Sequence, residues 1–410
     1  MNMYETIVCC RLCGCSELDE ILDLGSQPLA NGLAVSMDEE QPVLPLALCR
    51  CRACATVQLS ATVSPEAMFR EYVWVSGTSR ETCAYSELFY GSVEKRAACS
   101  PLFVVEVASN DGTFLRRFKE HGHRVLGVDP AINIARMAEA SGVPTIPDFF
   151  GLEVAQKLTE NHGYADVVIA RNVLPHVPNP NDLIAGIKHC LKPDGTGVIE
   201  FHYAGRIVQD LHYDSIYHEH FFYYTLQNIG DLLRRHSLYL FDITDSSISG
   251  GSIVAYFSKI EQPPALSLLE RLEHEESCKL GSLASWLAFA DRAEQHRLQL
   301  TAIVEDKIKA GEVLIGYGAS ARSSTLLNFC GITNRHLCCI ADQNPLKHGR
   351  YTAGTAIEIV PPEEALARKP DTMVLLAWNF RNEITDYLGK RGFHGDVVVP
   401  LPNSPQIIRV

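Results

Sequence analysis

Leu102-Phe-Val-Val-Glu-Val-Ala-Ser-Asn-Asp-Gly-Thr-Phe-Leu115 decides the fold. It reads as a short apolar run, a turn of small residues, and a helix beginning near Thr113. Beyond the turn, Arg124-Val-Leu-Gly-Val-Asp129 is a second apolar run that ends on an acid. A parallel α/β sheet that holds an adenosine is built this way. The first turn lets the ligand approach the backbone, and the acid ending the second strand grips a ribose.

Outward from this stretch the alternation continues. Helices are predicted around Leu115–Gly122 and Ile132–Ser141, a strand over Asp166–Ala170, a helix over Leu183–Leu191, and a turn at Lys192-Pro-Asp-Gly195 into the strand Gly197–Phe201. The pattern runs from Leu102 to about Lys259 and implies a Rossmann-like, doubly wound sheet with ligands at the carboxyl ends of its strands. Pro264–Ala310 reads as helical and links two lobes. A second alternation follows at Val313–Gly318, Leu337–Ala341, Met373–Ala377 and Val397–Pro400. The chain therefore carries two α/β domains, at 71–260 and 261–410, behind a small N-terminal module at 1–70.

The 410 residues are 46% hydrophobic and 21% charged, enough for a large core, and two to four domains are expected. No run approaches the ~20 apolar residues of a membrane span, and Met1-Asn-Met-Tyr-Glu-Thr-Ile-Val8 does not read as a signal peptide, so a cytoplasmic protein is expected. A net charge of −13 disfavours nucleic acid as a partner. Fourteen cysteines without an export signal read as metal ligands or small buried side chains rather than disulfides. Cys10/Cys13 and Cys51/Cys54 form two C-x-x-C knuckles, the spacing that gives two thiolates each to one tetrahedral Zn²⁺. Cys9, Cys15 and Cys49 are alternative ligands. No open coordination position is evident, so the zinc is expected to be structural.

The cofactor follows from the acids. Ala108-Ser-Asn-Asp-Gly112 lacks the G-x-G-x-x-G of a nicotinamide site. Glu106 near the end of the first strand, Asp111 in the turn and Asp129 ending the next strand suit S-adenosylmethionine, whose sulfonium and amino group tolerate carboxylates better than a pyrophosphate does. Ala108, Asn110, Gly112, Pro130 and Asn172 complete the expected cofactor site. At the edge of the strand Asp166–Ala170, Asn172 and His176 face the reacting groups.

The densest chemical signal is Tyr213-Asp-Ser-Ile-Tyr-His-Glu-His-Phe-Phe-Tyr-Tyr224. It suits a polar loop under aromatics, a metal site, or acid–base work by an imidazole oriented by a carboxylate and a phenol. It is not H-E-x-x-H on a helix. Methyl transfer to carbon needs a base that removes a proton beside a carbonyl and donors that stabilise the enolate. A histidine-rich, tyrosine-flanked loop meets that demand.

Taken together, the motifs resemble the bacterial sugar C-methyltransferases that act on nucleotide-linked 4-keto-deoxysugars. The shared stretches are Cys10-x-x-Cys13, Asp23–Asn31, Cys51-x-x-Cys54 with Val57–Leu59, Glu106–Gly112, Asn172–Pro178, Tyr217–His220 and Gly250–Ser252. In the last domain they are Gly316–Ala319, Thr325–Asn328 with Cys330-Gly331, Asp342–Pro345, Gly349–Thr352 and Leu376–Phe380. The resemblance implies an N-terminal zinc module, a central S-adenosylmethionine domain and a C-terminal domain, with the nucleotide-sugar between lobes. It implies His220 as the base that removes the proton alpha to the C4 ketone, methylation at C3 in preference to C5, and support from Tyr217, Glu219 and His176. Tyr72, in Tyr72-Val-Trp74, covers the site. His218, Ser249, Gly250, Gly251, Tyr317, Arg322, Ser323, Asn328, Asp342, Arg350, Tyr351 and Asn379 are implied on the acceptor side.

The sequence departs from that family at Ser249, where a histidine is frequent, at Arg322 and Ser324, where lysine and asparagine are usual, and at Ala356, where a histidine is common. Arginine keeps a cation for a pyrophosphate and binds it bidentately. Two other readings compete. Gly316-Tyr-Gly318 with Asp342 is half of a dinucleotide fingerprint and suits an NAD(P)-dependent oxidoreductase. A zinc-containing binding module without catalysis is the other. A monomer is expected.

Overall fold

The computed structural model describes residues 3–410 apart from 65, 67, 69–74, 79, 98 and 247–250. Tyr72, Ser249 and Gly250 therefore lie outside the described residues.

The opening stretch folds as read. Phe103–Val107 (β6) is buried at every position, because both faces of a central parallel strand are covered by helices. The turn 108–112 leads into the helix Thr113–Glu120, whose Phe114, Leu115 and Phe118 pack inward. Arg124–Val128 (β7), Thr145–Ile146 (β8), Ala165–Arg171 (β9) and Leu191–His202 (β10) extend the parallel sheet. Tyr239–Ser246 (β12) and Ser252–Ser258 (β13) complete seven strands in the order β12-β13-β10-β9-β6-β7-β8. β13 runs antiparallel to both neighbours, so this edge is a hairpin rather than another strand–helix unit. The turn expected at Lys192–Gly195 is a register irregularity inside the longer β10. β10 carries its chain to His202, so the strand end projects one more imidazole than the sequence reading assigned.

The N-terminal module is a sheet of Leu18–Pro28 (β2), Val43–Cys51 (β3) and Val57–Leu59 (β4), joined at its edge by Phe222–Tyr223 (β11). Residues that follow the Tyr217–His220 loop thus complete the first module's sheet. Tyr4–Thr6 (β1) pairs with Ala61–Val63 (β5).

The helical linker is two helices, Leu266–Ser277 and Leu283–Lys309, broken around Lys279, whose φ is 51°. The second buries Trp286, Phe289, Ala293, His296, Leu300 and Val304. Those three- and four-residue steps make one apolar stripe, built on aromatics and a histidine more than on the leucines that suggest it in sequence. Leu314–Tyr317 (β14), Ile340–Ala341 (β15), Ile359–Val360 (β16), Thr372–Leu375 (β17), Asp396–Val399 (β18) and Gln406–Arg409 (β19) form the last sheet, ordered β16-β15-β14-β17-β18-β19. All its pairings are parallel except β18–β19. Among the described residues, no helix is long and apolar enough to cross a membrane.

Candidate active site

The turn after β6 is held in an uncommon backbone conformation. Ala108, Asn110 and Gly112 all have φ between 50° and 80°, a region that costs non-glycine residues about 1 kcal/mol or more and recurs at ligand-binding sites. Asp129 fixes it: one carboxylate oxygen accepts from Asn110 N at 2.8 Å and the other from Ala131 N at 2.9 Å. Asp111 accepts from Thr113 N and Oγ1 and, at 3.1 Å, from Gly77 N. Ser76 N donates to Asn110 Oδ1 at 2.9 Å. The segment Ser76–Gly77 therefore lies over the turn, a contribution that nothing in its sequence announces. Asn172, with φ 50°, donates its backbone N–H to Glu200 O at 2.7 Å and so ends β9 beside β10.

Glu106 is buried, and its Oε2 has no partner. Burial pushes its carboxyl up to about 8, although the Arg171 guanidinium pulls the other way and Glu200 adds to the rise. An orphaned buried carboxylate oxygen is a place for a cationic ligand. Ser109 Oγ is likewise buried without a partner, and a Cβ on Gly127 would collide with it. These features fit the amino group and adenosine of S-adenosylmethionine.

The histidine loop sits at the carboxyl end of the same sheet. His220 Nδ1 lies 2.8 Å from Ser215 O, a carbonyl that only accepts, so Nδ1 carries the proton. Nε2 is then the lone-pair nitrogen and accepts from Tyr217 Oη at 2.8 Å. Burial first, and then His176 and Arg322, hold the imidazole's pKa well below the ordinary range, so it is neutral near pH 7. His176 packs edge-on at 4.7 Å between ring centroids, and burial lowers it to about 4. Burial also raises the Tyr217 phenol, which therefore stays a donor. His176, Tyr217 and His220 each retain some accessible surface.

Glu219 accepts from Asn31 Nδ2 at 2.5 Å, so the first module reaches into the loop. His218 faces that module as well: it is buried and lies 3.3 Å from Leu44 O, which gives it a packing contact rather than the acceptor contact expected of it. The loop's start is fixed by Tyr213, whose Oη donates to His296 Nδ1 at 2.9 Å while His296 Nε2 donates to Pro400 O at 2.6 Å.

In the N-terminal module the sulfurs of Cys10, Cys13, Cys51 and Cys54 all lie within 4.8 Å of one another, with Cys10–Cys54 at 3.6 Å and Cys13–Cys51 at 3.5 Å. Zn–S bonds of about 2.3 Å in a tetrahedron place sulfurs about 3.8 Å apart. Cys9, Cys15 and Cys49 stand outside the cluster, and Cys49 Sγ turns to Gln58 O. Among the described residues, these four sulfurs are the ones grouped closely enough to share one ion.

Comparison with known proteins bears on all three parts. Residues 10–69 match a zinc binding domain, 93–241 a methyltransferase domain and 247–402 a C-methyltransferase C-terminal domain. The C-methyltransferase NovU of Streptomyces niveus is 33% identical over 409 residues, which span 97% of this chain and 96% of NovU. The chain belongs to the C-methyltransferase family. Solved structures with a similar part include the PH0226 protein of Pyrococcus horikoshii OT3 (16% identity, TM-score 0.37, 45% of this chain and 94% of that one). Another is the magnesium protoporphyrin IX methyltransferase ChlM of Synechocystis PCC 6803 with bound SAM (12% identity, TM-score 0.32, 44% and 79%).

This C-methyltransferase uses S-adenosylmethionine, and its first module is a zinc site. Its acceptor-side residues fall into three groups. Arg322 and Gly251 stand near the histidine cluster: Arg322 acts electrostatically on His220 and Tyr217, and Gly251 O accepts from Tyr203 N, next to His202. Arg350 and Asn379 are exposed on the C-terminal lobe. Four others do structural work. Ser323 closes the capping box of the helix Ala321–Cys330 with Ser320. Asn328 Nδ2 donates to Ser324 O and Ala353 O. Tyr351 is a backbone bridge to Ala34, with N···O distances of 2.9 and 3.0 Å. Asp342 accepts from Ala319 N and Asn344 N, each at 2.8 Å, repeating in the second lobe the turn lock that Asp129 makes in the first.

The oxidoreductase reading loses ground here. Lys347 Nζ donates to Ala319 O at 2.7 Å and lies 3.5 Å from Asp342 Oδ2, so a cation already serves the acid that a ribose would need. A side chain at Gly318 would meet Ala377, so that glycine makes room for packing as well as for its φ of 97°. Tyr317 is buried under Gln343 Nε2 at 3.3 Å. The reading as an inactive binding module falls with the family assignment. Sequence reasoning missed His202, His212, Asp214 and Trp378. His212 Nδ1 lies 3.4 Å from His202 Nε2, and Trp378 Nε1 donates to Asp214 Oδ2 at 2.8 Å. His212 and Asp214 are visible as polar residues five and three positions before Tyr217, but nothing in the sequence says that they point inward.

Proposed function

We propose that this enzyme methylates the carbon alpha to the ketone of a nucleotide-linked 4-keto-deoxysugar, at C3 in preference to C5, through an enolate generated by His220. The observation that carries the reading is the locked tautomer of His220. Its Nδ1 proton is spent on Ser215 O, which leaves Nε2 as the acceptor. Tyr217 holds that lone pair in the resting enzyme and releases it when an acceptor C–H arrives. His220 then takes the proton, and the C–H pair becomes the enolate. The bound S-adenosylmethionine supplies the electrophilic methyl group, which the enolate carbon attacks. The imidazolium afterwards returns its proton to solvent.

Within this reading Glu106 receives the cofactor's amino group and Asp129 its ribose, with Ala108, Asn110, Gly112, Pro130 and Asn172 lining the pocket. His176 and Glu219 keep the loop in place. Arg350, Tyr351 and Asn379 lie on the lobe that takes the nucleotide. The division at 1–70, 71–260 and 261–410 then separates zinc, methyl-donor and nucleotide-sugar duties, and the enzyme works as a cytoplasmic monomer.

His220→Ala tests this. Methyl transfer to a panel of keto-sugar nucleotides should fall by about 10²–10⁴-fold while S-adenosylhomocysteine affinity stays near wild type. Near-normal turnover in the variant refutes the base assignment. With S-adenosylhomocysteine in place of the methyl donor, the wild type should exchange the acceptor's alpha proton for solvent deuterium.

A further inference from the structure

Arg322 is in an unusual position for a phosphate ligand. It stands in the first turn of the helix Ala321–Cys330, which is seated on the histidine loop by Thr325 Oγ1 donating to Ile216 O at 2.7 Å. Its side chain is 17% exposed. Its Nε is 3.8 Å from Asp214 Oδ2, beyond hydrogen-bond length, and that oxygen already accepts from Trp378 Nε1. The guanidinium carbon lies 5.3 Å from the centre of the Trp378 ring. Nη2 is buried and has no partner.

A buried N–H without an acceptor costs about 1–3 kcal/mol unless something arrives to take it. The charge of Arg322 is felt by His202, His212, Tyr217 and His220, which are therefore grouped around it. All four are neutral proton carriers near pH 7. The carboxylate beside Arg322, Asp214, is 1% exposed. A diphosphate, by contrast, is large and strongly hydrated, and the exposed Arg350 on the same lobe is better placed to meet it.

We propose that Arg322 is a catalytic residue of methyl transfer, donating from Nη2 to the acceptor's carbonyl oxygen as that oxygen becomes an enolate. The proposal rests on the reading of His220 as base. The C–H bond breaks toward His220 Nε2, its electron pair forms the carbon–carbon double bond, and the carbonyl pair moves to the oxygen that Arg322 faces. When the carbon takes the methyl group, the C–S bond breaks, the carbonyl re-forms and the hydrogen bond weakens again. A fixed, largely buried cation stabilises the negative oxygen without reorganising at the moment of reaction. Asp214 and Trp378 are its positioning residues.

The test uses the full-length zinc-loaded enzyme and the keto-sugar nucleotide that it methylates. Arg322→Gln should lower kcat and the rate of alpha-proton exchange together by about 10²–10³-fold, with KM changed by less than about threefold. Thymidine diphosphate and uridine diphosphate, titrated by calorimetry, should bind wild type and variant within about twofold of each other. Arg322→Lys keeps the cation and should recover to within about tenfold of wild type. If Arg322→Gln fails to fold because Asp214 is left alone, Arg322→Gln with Asp214→Asn removes both charges and is judged by the same readouts.

A variant that exchanges and turns over at wild-type rates overturns the proposal. So does one that keeps kcat but binds both diphosphates about tenfold more weakly, which would make Arg322 a phosphate anchor. Failure of the base is distinguishable: His220→Ala would then remain active, whatever Arg322→Gln does.

Discussion

Glu106→Gln separates two consequences of one buried carboxyl. The native carboxyl is raised from an ordinary 4.5 to about 8, chiefly by burial. For an acid raised on folding, the native state holds a proton that the unfolded chain has lost. The penalty is absent below pH 4.5, grows between 4.5 and 8, and levels off above 8. At pH 7.5 the linkage gives about 4 kcal/mol. In the cofactor-free protein the glutamine should therefore raise Tm by roughly 5 °C at pH 7.5, for a chain of this size, and by little at pH 5. The same substitution should weaken S-adenosylmethionine by roughly 10- to 100-fold, because a charge-assisted hydrogen bond of about 1.5–3 kcal/mol is lost. Calorimetry adds a third readout. Cofactor binding at pH 7 should expel about one proton in the wild type and none in the variant, which is read from the dependence of heat on buffer ionisation enthalpy. Equal pH slopes of stability for the two proteins between pH 5 and 8, or equal cofactor affinities, would refute the reasoning.

Three further perturbations reach other parts of the molecule. Metal analysis should find one zinc per chain, and a chelator should lower Tm and expose the module to proteolysis, since structural zinc contributes folding energy directly; an unchanged melt after complete removal would count against a structural role. Stability should fall as pH drops from 6.5 to 5, because His176 and His212 are held to about 4 and about 3 by burial while their unfolded forms titrate at 6.5. The unfolded chain then binds more protons, at about 2 kcal/mol per histidine by pH 5, and thermal melts that stay flat over that window would contradict it. Asn31→Ala should cost about tenfold or more in kcat, through loss of the Glu219 contact, with cofactor affinity unchanged; parallel losses in both would show that Asn31 acts on the fold at large.

The parts of this protein that were legible in sequence are those whose signal is local. β6, its turn and Asp129 form one contiguous pattern, and the backbone of that turn is locked by the acid that the pattern predicts. The two C-x-x-C knuckles are equally local, and only their competition with Cys9, Cys15 and Cys49 needed three dimensions. The roles that went astray are those set by where side chains point. His218 and His220 are two residues apart in one loop, yet one meets Leu44 O and the other Ser215 O. No periodicity distinguishes them, because the loop is neither helix nor strand. His202 escaped for a related reason: an apolar strand pattern ends at Phe201, and the residue after it looks like the start of a turn.

The same reasoning locates where the reaction is specified. The turn after β6 is made by one domain, but the loop bearing the proposed base, His220, is held by all three. Asn31 from the first module fixes Glu219, and β11 carries the loop's exit into that module's sheet. His296 and Pro400 from beyond the linker fix Tyr213, Trp378 fixes Asp214, and the helix bearing Arg322 rests on Ile216. Each of these contacts is individually worth only about 1–3 kcal/mol. Their joint effect is to set the directions of Tyr217, His220 and Arg322 relative to one another. Loosening any one attachment should therefore cost turnover before it costs cofactor binding, since Asp129, Glu106 and the turn they serve use none of these attachments.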